Sequence, residues 1–364
     1  LGFADGISWA HGWVDQWQSK DDTVAWQVEF AKAGRYELKL HYVCDSKNVS
    51  VETHVGASSQ QSSLKRFRST PQIRPDLDSK STPRRMQSFA MQTIGVFDVP
   101  AGPTTITLKR LNTSERMLET SGITVTSADL PDDKSEFHLF LLAGQSNMAG
   151  RGNVTPIDRY PDQRIVMLDQ ESRWVPATDP VHFDKSVAGV GLCRQFAREY
   201  AAKHPGVTVG LVPCSGGGSP IAAWAPGGYH ASTKTHPYDD ATERITTAKE
   251  HGMFRGILWH QGESDSRPER AATYEPRLID VFKQIRDQVG DVPIVIGGLA
   301  TKPSGVTAAR KQINQAHRRV AEKLGRCIYV PSDGLTLKSD NTHFDRQSLI
   351  EFGCRYAKAL MSLE

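Results

Sequence analysis

Four places in the chain put reactive side chains after an expected strand, three of them directly and the fourth between the last strand and the last helix. The first is His138 to Gly150, HLFLLAGQSNMAG, where Leu139 to Ala143 read as a buried strand, Gly144 breaks it and Ser146 follows. The second is Pro213 to Trp224, PCSGGGSPIAAW, with three successive glycines. The third is Trp259 to Asp265, WHQGESD, and the fourth is Ser339 to Asp345, SDNTHFD. A serine is a nucleophile only with a base in reach. At a spacing of three, Asp340 can accept a hydrogen bond from the Nδ1–H of His343 and leave Nε2 free as that base. Taken singly, each block also fits an ordinary loop, and an Asp three residues before a His is commonly a local cap.

Together they make the parts of an acyl-transfer site. Ser146 is the candidate nucleophile, His343 the base and Asp340 its orienter. The Ser146 and Gly217 N–H groups and the Gln261 amide are the candidate donors to an oxyanion; losing one such donor typically costs about 10²–10³ in rate. Glu263 is the alternative acid, and local spacing favours Asp340. Gln145 and Asn147, which flank the serine, and Trp224 and Trp259 are candidate substrate contacts. The two indoles could stack on a sugar or fill a core. Cys214 reads as a small buried hydrophobe, and no spacing of His or Cys suggests a metal.

The elements that must position these residues follow from texture. From about residue 137 onward, strands alternate with helices, which predicts a parallel sheet covered on both faces. The strands are expected at His138–Ala143, Arg164–Leu168, Thr208–Pro213, Arg255–Trp259, Pro293–Ile296 and Cys327–Val330. The helices are expected at Gly191–Lys203, Asp239–His251, Pro268–Val289, Ala308–Leu324 and Gln347–Leu363. All four blocks would then meet on one edge of one sheet, outside the carboxyl ends of its strands. Residues 1–130 have an all-β texture, with strands expected at Thr23–Phe30, Arg35–Val43, Val49–Val55, Ile94–Val99 and Thr104–Leu111. They predict a sandwich or jelly roll, with Ala57–Gln92 as a polar, basic loop holding one strand. Trp9, Trp13, Trp17 and Trp26 could bind sugar, and core packing is preferred for each ring. Residues 131–136 read as a linker and 137–364 as the catalytic domain.

GQSNMAG, GGGSPIAAW, HQGESD and DNTH together resemble the SGNH hydrolases. They are most similar to the branch of sialate O-acetylesterases and family 6 acetyl xylan esterases. The resemblance spans Phe137 to the C-terminus. It implies a three-layer, flavodoxin-like α/β domain, preceded here by the jelly-roll module. It also implies a cofactor-free serine esterase that deacetylates sugars, with acetyl xylan the first expected substrate and O-acetylated sialic acid the second. By this resemblance Ser146, Gly217, Gln261 and the Asp340–His343 pair carry the site. Pro220 and the DNTHF wording depart from the usual pattern. An α/β-hydrolase elbow is excluded, since the serine lies in G-Q-S-N-M rather than G-x-S-x-G. A non-catalytic glycan-binding protein is the alternative of another class, and no catalytic position is missing to favour it.

The totals exclude several partners. The 364 residues carry 44 basic and 41 acidic side chains, a net charge of +3 with no basic stripe, so a nucleic-acid partner is not expected. No apolar run approaches the roughly 20 residues of a membrane span. The five cysteines are odd in number and widely spaced. The chain starts at Leu1, and with the resemblance this leads to an expectation of a processed, secreted or periplasmic enzyme.

Overall fold

The computed structural model describes residues 2–4, 13–15, 17, 22–46, 49–68, 72–73, 85–86, 89–112, 118–127, 129–162, 164–300 and 308–364. The chain divides into two compact units, Leu1–Asp129 and Leu130–Glu364.

The first unit is built from two antiparallel sheets around one core. Gly2–Ala4, Trp13–Asp15, Leu118–Ser127, Gly34–Cys44 and Ala90–Val99 form one sheet in that order. Thr23–Phe30, Gly102–Arg110, Val49–Val55 and Ser58–Leu64 form the other. Alternation explains the core, since Val49, Val51 and Val55 point inward with Leu38, Leu40, Ile94, Ile106 and Leu108. Gly2–Ala4, Trp13–Asp15 and Leu118–Ser127 lie beyond the strands expected from sequence, while Ser58–Leu64, Gln72–Ile73 and Arg85–Met86 fall within Ala57–Gln92, where one strand was expected. Leu118–Ser127 is interrupted at Gly122, where the register shifts against its neighbour. Ser58–Leu64, SSQQSSL, has almost no apolar residue because its side chains are nearly all exposed. Trp17 is in the core and Trp26 packs against it half-buried, while Trp9 and the ring of Trp13 lie outside the described residues. Within the predicted loop Ala57–Gln92, residues 69–71, 74–84 and 87–88 also lie outside them.

The second unit is a mixed α/β body with a seven-stranded central sheet. Its strands are β1 (Phe137–Gly144), β2 (Ile165–Leu168), β3 (Trp174–Pro176), β4 (Thr208–Pro213), β5 (Met253–His260), β6 (Ile294–Gly297) and β7 (Cys327–Val330). The order is β3-β2-β4-β1-β5-β6-β7, parallel except for the short edge strand β3. The helices are α1 (Ser146–Ala149), α2 (Cys193–Lys203), α3 (Pro237–Lys249), α4 (Pro268–Ala271), α5 (Tyr274–Val289), α6 (Ala308–Lys323) and α7 (Arg346–Met361).

Strand β1 is central, and its alternation feeds both faces. Leu139, Leu141 and Ala143 pack with Ile245 of α3, Leu278 and Phe282 of α5, and Ile313 of α6. Phe140 and Leu142 pack with Phe196 of α2 and with Leu349 and Phe352 of α7. An apolar strand covered on both faces is why this part of the sequence reads as a continuous run rather than an alternating one. The ladder aligns Leu142 with Pro213 and Gly144 with His260, so the ends of β4, β1 and β5 are level.

Candidate active site

Ser146 is presented by a sharp strand-to-helix turn. Gly144, at φ +141°, lies against the end of β5, where a Cβ would sit 2.1 Å from the His260 carbonyl oxygen. Only glycine fits both that conformation and that approach. The next N–H, of Gln145, donates to the same His260 carbonyl at 2.9 Å. Ser146 then begins α1, where its N–H has no acceptor one turn back.

The base arrives on the loop between β7 and α7. Lys338 N–H donates to the His343 carbonyl at 2.8 Å, and Asp345 caps α7 by accepting from Ser348 N–H at 2.8 Å. Inside this closed loop, one Asp340 oxygen accepts from the N–H groups of Thr342 and His343, both at 2.9 Å. The other lies 2.8 Å from His343 Nδ1. Desolvation pushes the Asp340 carboxyl up, but the loop N–H groups and the His343 ring outweigh it and hold it at about 2. An ionised carboxylate there fixes the proton on Nδ1 and leaves the Nε2 lone pair toward Ser146, whose Oγ is 2.9 Å away. The serine hydroxyl can donate to that nitrogen and surrender its proton as Oγ attacks a carbonyl.

Gln261 and Gly217 are placed differently from expectation. Gln261 is fully buried. Its amide donates to the Ser219 carbonyl at 3.0 Å and to Asp265 at 2.6 Å, and its oxygen accepts from Tyr274 at 2.7 Å. Both amide hydrogens are thereby engaged, which removes Gln261 as an oxyanion donor and makes it a brace beneath the glycine turn. Gly217 N–H donates to Asp184 at 2.9 Å, and Asp184 also pairs with Arg151 at 2.8 Å. The neighbouring Gly218, at φ +87°, has an N–H with no acceptor among the described residues. Its carbonyl accepts from Ser264 Oγ at 2.8 Å, and Ser264 N–H donates to Gln145 Oε1 at 3.3 Å, which ties the turn to the residue before the serine. The uncommitted donor is therefore one residue later than the sequence indicated.

Trp224 and Trp259 are both 0% exposed and pack edge to face with ring centres 4.9 Å apart. They are core residues, not a sugar platform. Asn147 is also buried, with its side chain spent on protein partners rather than open to a substrate, whereas Gln145 is buried with only its Oε1 engaged, accepting from the N–H groups of Gly262 and Ser264 at 3.3 Å. Glu263 bonds to Asn147 at 2.6 Å and lies 3.4 Å from His260, so the carboxylate on the His343 ring is that of Asp340. Cys214 is a free thiol that burial pushes up to about 12, which makes it inert as a nucleophile. Asp184, Arg151, Ser219, Asp265 and Tyr274 escaped the sequence reading. Ser219 and Asp265 stood inside recognised blocks, and nothing local marked the other three.

Fold and site together define a carboxylic ester hydrolase. Residues 136–362 match the family described as carbohydrate esterase, sialic acid-specific acetylesterase, and the chain belongs to that family. A probable carbohydrate esterase of Arabidopsis thaliana is 29% identical over 247 residues, which is 62% of this chain and 90% of that protein. An Arabidopsis thaliana crystal structure, also 29% identical, superposes with a TM-score of 0.55 over 62% of this chain and 98% of the other. The structure of NanS superposes with a TM-score of 0.50 at 18% identity, covering 63% of this chain and 98% of that one, a likeness of fold alone. Among the described residues, no helix is long and apolar enough to cross a membrane.

Proposed function

We propose that this carbohydrate esterase removes O-acetyl groups from sugars through an acetyl–Ser146 intermediate. The observation that carries the reading is the unbroken relay from Ser146 Oγ to His343 Nε2 at 2.9 Å and from Nδ1 to Asp340 at 2.8 Å. His343 takes the hydroxyl proton as Oγ adds to the acetyl carbonyl. The oxyanion is received by the N–H groups of Ser146 and Gly218. Collapse breaks the ester bond, and His343 returns the proton to the departing sugar oxygen. Water then attacks the acetyl-enzyme with His343 again as base, which releases acetate and restores Ser146.

Acetyl xylan and O-acetylated sialosides are the two substrates in view. The family's description supports the sialoside, which is therefore placed first here, ahead of the acetyl xylan that the sequence put first. Comparing kcat/KM on the two decides it, and a clear preference for acetylated xylan would restore the first order. The N-terminal unit is read as a sandwich or jelly-roll module that holds the enzyme on glycan outside the cytoplasm. Retention of the full chain on insoluble glycan tests that role. Ser146→Ala should abolish hydrolysis of 4-nitrophenyl acetate and of acetylated sugars while leaving the melting temperature near that of the wild type. Retained turnover would end the serine mechanism.

A further inference from the structure

Asn147, next to the nucleophile, is 0% exposed, so it cannot meet a substrate, and both of its polar atoms have protein partners. Its Nδ2 donates to Glu263 Oε1 at 2.6 Å and to the Thr342 carbonyl at 3.0 Å. Its Oδ1 accepts from Phe344 N–H at 3.1 Å. Thr342 and Phe344 are the two chain neighbours of His343. One side chain thus grips the backbone on both sides of the base from the turn that carries the serine. Flipping the amide would face donor to donor at Phe344 and acceptor to acceptor at Glu263 and Thr342, so the orientation is fixed by three contacts.

We propose that Asn147 is a positioning residue that sets the Ser146–His343 distance, with Glu263 as the anchor that fixes its amide. The inference rests on the serine mechanism proposed above. It also gives the block-three acid a role of its own: Asp340 orients the imidazole ring, and Glu263 holds the loop on which that ring stands. His260 lies behind Glu263, with its Nδ1 3.3 Å from the Tyr356 hydroxyl, and Tyr356 in turn donates to the Trp259 carbonyl at 2.9 Å. The anchor is thereby built into the end of β5. A reacting pair displaced by about 1 Å can lose on the order of 10²-fold in rate, so a clamp of this kind is read in kcat.

The test is a double-mutant cycle on 4-nitrophenyl acetate with Asn147→Ala, His343→Ala and the two combined. Asn147→Ala is expected to lower kcat about 10- to 100-fold with KM within about threefold. In the His343→Ala background the same change should alter the residual rate less than about twofold, because a residue acting only through His343 has nothing left to act on. An unchanged kcat in Asn147→Ala overturns the inference, as does an equal loss in both backgrounds. If Asn147→Ala does not fold, Glu263→Ala takes its place in the cycle. Glu263→Gln, which keeps an acceptor for the Asn147 amide, should then restore kcat to within about threefold. Absence of either the loss or the rescue is contrary to the proposal. Ser146→Ala separates the two levels. If it retains turnover, the mechanism itself falls; if it is dead while Asn147→Ala is fully active, only the clamp falls.

Discussion

Replacing Asp340 by Asn tests the relay at its least guarded member. One carboxylate oxygen accepts two backbone N–H groups at 2.9 Å, so an amide placed there must keep its oxygen on them. Its NH₂ would then face His343 Nδ1, in place of the carboxylate oxygen at 2.8 Å. The ring must accept at Nδ1 and carry its proton on Nε2, facing Ser146 as a donor. In buried triads this wrong tautomer costs about 10⁴ in kcat. Here the Asp340 side chain is 45% exposed, and water can relieve part of the mismatch. The expected loss is therefore about 10²–10³, or about 3–4 kcal/mol of barrier. Steady-state kinetics on 4-nitrophenyl acetate measures it, with KM expected to stay near the wild-type value. A variant within about threefold of the wild-type kcat at neutral pH would refute the tautomer argument.

Two further outcomes follow from burial. Trp224→Ala should destabilise the protein by about 3–5 kcal/mol in chemical denaturation, since it empties a core site, and should not raise KM for sugar esters selectively. A stable variant with a selective KM defect would return Trp224 to the substrate. The Glu263 carboxyl is burdened by burial, but the His260 and Asn147 contacts outweigh this and lower it from 4.5 to about 2. A depressed carboxyl stabilises the fold fully above its ordinary value and loses that contribution as pH falls from 4.5 toward 2, here on the order of 3 kcal/mol. Wild-type stability should therefore drop more steeply than that of Glu263→Gln between about pH 5 and about pH 2.5. Parallel curves for the two proteins would contradict the assignment.

What could be read from the sequence was what depends on short spacing or on burial. Strand β1 was legible because both of its faces are covered, and Asp340–His343 because three residues separate them. Edge strand β3 was not, since three residues are too few to show a period, and the bounds of the polar strand Ser58–Leu64 were not, since its side chains are nearly all exposed. The single helix expected over 268–289 is two helices, α4 and α5, broken where Thr273 leaves helical geometry at φ −109°, ψ 5°. Identifying the free N–H in the glycine turn required Asp184, 33 residues away from Gly217 and outside any motif. The Gln261 amide was misassigned for the same reason: Tyr274 and the Ser219 carbonyl decide where it points, and both come from other elements.

The central claim is that acetyl passes through Ser146. Acid-quenching the enzyme during turnover of 4-nitrophenyl acetate and mapping the modified peptide by mass spectrometry tests it most directly. The account predicts one acetyl group on the peptide that carries Ser146, absent in Ser146→Ala and accumulating when deacylation is slowed. An acetyl group on another residue, or full turnover with no covalent intermediate under any quench, would contradict it.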